Sequence, residues 1–420
     1  MADKRDIKIK KRKPVGRMPS EEPEQAPGGG EEENGGLRAL PARKKRRRGR
    51  SVLRIVFRLL LVAALVVGAL LVYKNWDSIA PDSLVIWLEE KLSGGQGGDG
   101  FPVEITGSEV LDMAETRDGL ALLTDTAYIV YNSNGGEVLR RPHGFSSPIL
   151  KTAGKWALIA EAGGTRLRLE NRSSTAAEVT AENKIVSAAV SADGNFAVCT
   201  ESSQGYMSEI IVYNSKAEIL YHRYVTNLII LDVALSPDGG SLAAIGVTAE
   251  AGGMKSSLLL YDLDKEDPVM QVDDTGLMFC AVGFFSNGAA VAVGDTGLWV
   301  ANPDGAVRQK QEYGGKELAG FAIGEKNAAV VLQGSGGTEG GELMAVDSSG
   351  GEAYTLPYEG AYRHIAPSGS GALLLTGDHL YRTGESGLED TLDAPRDGRL
   401  VSPLGNKVIV LGLTTLSEVS

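Results

Sequence analysis

Cysteine is nearly missing from this chain: Cys199 and Cys280 are the two thiols in 420 residues. Two thiols cannot build a disulfide framework. Both sit in apolar, strand-like runs, VCT and FCA, and read as buried free thiols. Histidine is almost as scarce. His143, His222, His364 and His379 are scattered along the chain, which argues against a convergent zinc site. The sequence contains no G-x-S-x-G, no H-E-x-x-H and no P-loop. Its Gly-rich stretches, SGSGA and GSGGTEGG, lack the strand-to-helix context of a phosphate cradle and read as turns. The acidic run YDLDKEDP, with Asp262, Asp264, Glu266 and Asp267, lacks the glycine and terminal Glu of a calcium loop and reads as a solvated turn. The acidic pair Asp273 and Asp274 reads the same way. These gaps exclude the common catalytic constellations. They imply no cofactor, no metal and no enzyme.

Tryptophan and phenylalanine are few, whereas glycine is abundant at 54 residues. That pairing suits many short strands joined by tight turns. Charge is divided unevenly. Met1 to Lys74 carries 19 Lys/Arg against 8 Asp/Glu, and the remainder 23 against 46. A basic end on an acidic body predicts two environments and disfavours nucleic acid.

One long apolar run is present. Val52 to Tyr73 reads VLRIVFRLLLVAALVVGALLVY. At ~1.5 Å per residue a helix of this length reaches ~33 Å, enough for a ~30 Å hydrocarbon core. Arg54 and Arg58 lie in its first two turns, where they can snorkel to the headgroups, and Tyr73 and Trp76 suit the opposite interface. Arg43, Lys44, Lys45, Arg46, Arg47, Arg48 and Arg50 crowd the N-terminal flank. The positive-inside rule puts that flank in the cytoplasm. No A-x-A-like cleavage site follows, so the run reads as an uncleaved anchor of a single-pass protein in the cell membrane. The predicted organisation is a disordered basic tail at 1–51, a transmembrane helix at 52–73, a juxtamembrane helix and Gly-rich linker at 74–100, and an extracytoplasmic domain at 101–420. Pro81 to Leu92 places Leu84, Val85, Leu88 and Leu92 on one helical stripe. Ser93 to Gly100 is a flexible tether of roughly 16 Å.

From Phe101 onward the chain repeats a unit of two apolar strands around a tight turn. The turns centre near Asp118, Gly154, Asp193, Asp238, Asn287, Lys326, Ser370 and Gly405. Their mean spacing is about 41 residues, and a strand-built period of roughly 40–45 marks a β-propeller. Third and fourth strands follow in runs such as AYIVYNSNGGEV and EIIVYNSKAEIL, giving four strands per blade. The predicted fold is therefore all-β, a β-propeller of eight blades with seven as the alternative, preceded by one transmembrane helix. After the eighth hairpin only LTTLSEVS remains. The missing fourth strand is supplied by FPVEI, Phe101 to Ile105, which would join the chain ends in one blade.

ALSPDGGSLAA (Ala234 to Ala244) and AVSADGNFAVC (Ala189 to Cys199) resemble the S-x-DG hairpins of bacterial WD40-like and TolB-like propellers. The layout resembles an uncharacterised bacterial family of membrane-anchored propellers, a domain of unknown function. A looser analogy is with the eight-bladed periplasmic scaffold lipoproteins of outer-membrane assembly, whose anchor is a lipid. The resemblance implies fold and location and transfers no active site.

Loops between second and third strands emerge on one face of a propeller. Units one and five make tight turns at Asp125–Thr126 and Asp295–Thr296, whereas units three, four and six insert ESSQGYMSE, GVTAEAGGMKSS and QGSGGTEGG. Long insertions on one face mark candidate binding surfaces. Tyr206 with Met207, and Met254 with Lys255, are the candidate partner-binding residues. The functional expectation is a protein-interaction scaffold of the bacterial cell envelope with an envelope protein as partner. The alternative is a glycan or small-ligand receptor using the channel, and an enzyme comes third.

Overall fold

The computed structural model describes residues 97–250, 252–334 and 339–420. The basic flank from Arg43 to Arg58, the apolar run Val52 to Tyr73 and the stripe Leu84 to Leu92 lie outside them. Among the described residues no helix is long and apolar enough to cross a membrane.

The described residues form 32 strands, numbered β1 to β32 in chain order, arranged as eight four-stranded antiparallel sheets. Blade one shows the pattern: β2 (Val110–Thr116), β3 (Gly119–Thr124), β4 (Ala127–Tyr131) and β5 (Glu137–Pro142) run from the channel outwards. Blades two to seven repeat it in sequence order. The fold is an eight-bladed propeller, and the count of eight read from the hairpins holds.

The strand period of two explains why the ring must close. In β3 every residue is buried. Leu120 and Leu122 point into the cluster shared with blade eight, whereas Ala121 and Leu123 point into the cluster shared with blade two. In β11 (Phe196–Glu201), Phe196 and Val198 pack towards blade two, and Ala197 and Cys199 towards blade four. A continuous apolar run thus feeds two separate cores on its two faces. Eight apolar clusters result, one at each interface between neighbouring blades. Outer strands meet water: Val307–Glu312 reads VRQKQE and is largely exposed.

The last blade is built from both chain ends. β30 (Leu400–Leu404), β31 (Lys407–Leu411) and β32 (Thr415–Val419) supply its inner three strands, and β1 (Val103–Glu104) its outermost. Val103 pairs with Leu416 and Glu104 with Thr415. The Ile105 N–H donates to Thr414 O at 2.7 Å. Two contacts lock this blade to the first: Arg399 Nη2 donates to Val110 O at 3.0 Å, and the Gly405 N–H to Glu115 Oε1 at 2.6 Å. Gly98 and Gly100 lie against the turn between β4 and β5, with the Gly100 N–H on Asn134 O. A Cβ on Gly98 would sit 2.0 Å from that same oxygen, so no other residue fits there. The chain therefore enters the ring on the face of the hairpin turns. The loops between second and third strands lie on the opposite face.

His364, on β26 (Tyr362–Ser368), joins blades seven and eight by accepting the Val401 N–H on Nδ1 at 3.2 Å. Burial pushes its pKa down to about 4. The unfolded chain takes up the proton first, so stability is complete above about pH 6.5 and falls as pH drops towards 4. His364→Gln should flatten the change in denaturant midpoint between pH 7 and pH 5; an unaltered slope would show that other groups cause it. Leu416, fully buried in the cluster between blades eight and one, offers a second check. Leu416→Ala should cost about 2–4 kcal/mol of unfolding free energy. Leu413→Ala, at a site 69% exposed, should change it by less than about 0.5 kcal/mol. Equal small shifts in a denaturant titration would mean that the closing blade is not part of the cooperative unit.

Candidate functional site

The loop face carries the candidate contact residues. In blade three, residues 202–207 join β11 to β12 (Ser208–Tyr213). In blade four, β15 (Ser241–Glu250) and β16 (Gly253–Asp262) are ten residues each. They remain paired out to Glu250 and Gly253. The segment 246–257, read from sequence as an inserted loop, is therefore a projecting hairpin arm. Alternating β-compatible residues on both sides of one glycine turn let the ladder continue beyond the sheet. The neighbouring β17 (Met270–Asp274) pairs with β16 only as far as Ser256. Residues 248–250 and 253–255 thus stand clear of the blade by about 10 Å at ~3.4 Å per residue.

The two elements are placed equivalently. Ser208 Oγ accepts the Ile230 N–H at 2.9 Å, and Ser256 Oγ accepts the Phe279 N–H at 3.0 Å. Each serine pins its strand to the first strand of the next blade. Tyr206 and Met254 lie two residues before these serines, on the same face of neighbouring blades. Tyr206 is 37% exposed, Met207 53% and Met254 50%, so three large apolar side chains meet water there.

Tyr206 is backed by a short stack. Its ring lies on Tyr224 with centroids 4.6 Å apart and planes within 20°, and Tyr224 in turn meets His222 at 4.7 Å. Both belong to β13 (Ile219–Val225), where alternate residues share a face. His222 Nε2 is 2.7 Å from Glu209 Oε1, and Glu209 is buried. Desolvation and then the Glu209 carboxylate push the Tyr224 phenol up. The stack leaves one face of Tyr206 outermost on a rigid base. Sequence reading found Tyr206 but missed Tyr224 and His222; the signal was the i, i+2 ring pair in YHRYV.

Lys255, also a candidate contact residue, is held in two ion pairs. Its Nζ is 2.6 Å from Glu250 Oε2 and 3.1 Å from Asp273 Oδ2. Glu250, and after it Asp273, hold the ammonium above its ordinary range. Asp273 also accepts the Ser257 hydroxyl at 2.7 Å. Lys255 therefore clamps the arm to its own blade. The YDLDKEDP run forms the turn between β16 and β17. There Asp262 pairs with Lys265 at 2.9 Å, and Asp267 with Arg223 at 3.2 Å. Among the described residues no group of three or more His, Cys, Asp or Glu side chains is placed to hold a metal. His143 is buried against Thr124 O at 3.0 Å, far in sequence from His222 and from the blade-seven pair His364 and His379.

The channel holds the feature that sequence reading missed. Six of the eight first strands carry a β-bulge at the matching position, between Val110 and Asp112, Ile185 and Ser187, Ile230 and Asp232, Phe279 and Ala281, Leu318 and Gly320, and Tyr362 and His364. A bulge inserts one residue and re-aims it. This is why Cys280 is exposed, contrary to the expectation of two buried thiols, whereas Cys199 is buried. Burial pushes the Cys199 thiol up to about 12. In blade four the residue after the bulge ties blades together. Asp232 accepts the Ser187 hydroxyl of blade three at 2.6 Å and the Val282 N–H of blade five at 3.1 Å. Asp112 is pushed up by burial, opposed by the Met113 N–H and by Lys151.

Similar solved structures are distant. The crystal structure of the eukaryotic initiation factor shares 13% identity at a TM-score of 0.48, over 74% of this chain and 83% of that one. Hydrazine synthase from Kuenenia stuttgartiensis shares 13% at 0.45, over 66% and 96%. KlHsv2 with loop 6CD replaced by a Gly-Ser linker shares 11% at 0.38, over 57% and 93%. None of these likenesses carries an activity across. No curated protein matches the chain. Residues 103–394 match the family of unknown function DUF5711, which is more than half of the 420 residues, and the chain belongs to that family.

Proposed function

We propose that this propeller is a protein-interaction scaffold of the bacterial cell envelope, held at the membrane by Val52 to Tyr73 with the N-terminus in the cytoplasm and the propeller outside. The reading includes no enzymatic step and no nucleic-acid partner. The observation that carries it is the pairing on one face of Tyr206 and Met207 with Met254, at equivalent positions of adjacent blades and all exposed. Aromatic and methionine side chains supply contact area at low rotamer cost, and they are enriched where proteins meet. The aromatic stack under Tyr206 gives that surface a rigid anchor.

A photo-crosslinking residue placed in turn at Met207, Met254 and Leu388 of the full-length protein tests this in cells. Leu388 is a control, 53% exposed but on the outer strand of blade seven. The same envelope protein should be captured from positions 207 and 254 and not from 388. Replacing residues 202–207 and 248–255 with two-residue turns should remove that capture and leave thermal unfolding unchanged. Capture that is equal at all three positions, or that survives both replacements, contradicts the scaffold reading. An epitope tag fused after Ser420 should be reached by antibody on intact protoplasts; a tag protected until lysis contradicts the topology.

A further inference from the structure

The ring of bulges builds a second surface, separate from the loop face. The re-aimed residues are Leu111, Val186, Leu231, Cys280, Ala319 and Arg363. Four of them, Leu111, Val186, Leu231 and Cys280, line one cavity of about 720 Å³ in the channel, and Phe321 lines it too. Leu111 is 43% exposed, Leu231 37% and Phe321 37%. Charged groups at the same level have partners within the protein. Asp232 is bonded across two interfaces, Asp112 lies within the field of Lys151, and Arg363 donates to Gly398 O at 2.8 Å. The exposed side chains of the cavity wall are Leu111, Leu231, Cys280 and Phe321, with one charged group, Lys151, among them.

We propose that this collar is a binding site for a small, mainly apolar molecule. The cavity volume lies within the roughly 300–1,000 Å³ of small-molecule sites, and such sites combine apolar walls with a few fixed polar groups. The exposed apolar wall is aliphatic at Leu111 and Leu231 and aromatic at Phe321. An alkyl or hydrocarbon-ring group fits their shape and chemistry. Six bulges at one level are a costly way to decorate a solvent-filled channel, because each breaks a ladder, and bulges gather where a side chain must be re-aimed.

Cys280 reports on occupancy because it is exposed and lines the cavity, while Cys199 is buried. The experiment uses the full-length protein in lipid nanodiscs, the neutral probe N-phenyl-1-naphthylamine and a water-soluble maleimide. With probe at about ten times its dissociation constant, modification of Cys280 should slow about tenfold, since only the free fraction reacts. Leu231→Asp should remove that protection, and Leu388→Asp should not. Leu111→Gln is the milder second variant, and resistance of Cys199 to the maleimide confirms folding in each case. A Cys280 rate that the probe does not alter overturns the proposal. So does protection that persists unchanged in both collar variants.

Discussion

Each blade is a sheet of four strands with two apolar faces, and it is stable only because its neighbours cover both. That mutual coverage is the constraint on which the rest depends. It divides every second strand between two cores, as in β3, where Leu120 and Leu122 serve one interface and Ala121 and Leu123 the other. It leaves no blade that can be last. A linear array would expose one face of blade one and one of blade eight, and hydrocarbon exposed on that scale costs about 25 cal/mol for each Å². Pairing β1 with β32 removes both ends at once.

Closure also divides the labour of the two faces. Hairpin turns, and the point where the chain joins the ring, occupy one face. The other carries the loops that vary in length without touching a core. Blade three uses that freedom for a six-residue loop set on an aromatic stack, and blade four for a hairpin arm clamped by Lys255 to Glu250 and Asp273. The channel wall answers to a different rule. Side chains there are not needed to fill an interface, so bulges can turn them inwards. A polar residue after a bulge can then bond across to the next blade, as Asp232 does.

Much of this was legible because the fold is periodic. Eight tight turns about 41 residues apart favoured eight blades over seven, and the shortage of chain after Gly412 pointed to Phe101–Ile105 as the missing strand. Less was legible where a feature leaves length and composition unaltered. The arm at 246–257 looks like a polar insertion, since Thr248, Glu250 and Lys255 are ordinary loop residues; only pairing reveals it as strand. The ion pair of Lys255 with Asp273 was not legible because the two lie on different strands. The bulges did leave a trace. Val110-Leu111-Asp112, Ile185-Val186-Ser187 and Ile230-Leu231-Asp232 each place two apolar residues before a short polar one, a slip in the alternation that marks an extra residue. With a period of two as the working assumption, such a slip passes for noise.

Closure through the two chain ends is the central claim, and hydrogen exchange measures it most directly. The amides of β30 to β32 should be as protected as those of an interior blade in the full-length protein. In a variant lacking Phe101–Ile105, protection should fall in β30 to β32 and in β2 to β5, while the blades across the ring keep theirs better. If β30 to β32 stay fully protected without Phe101–Ile105, the ring is held by something other than the pairing of its ends, and closure through them is contradicted.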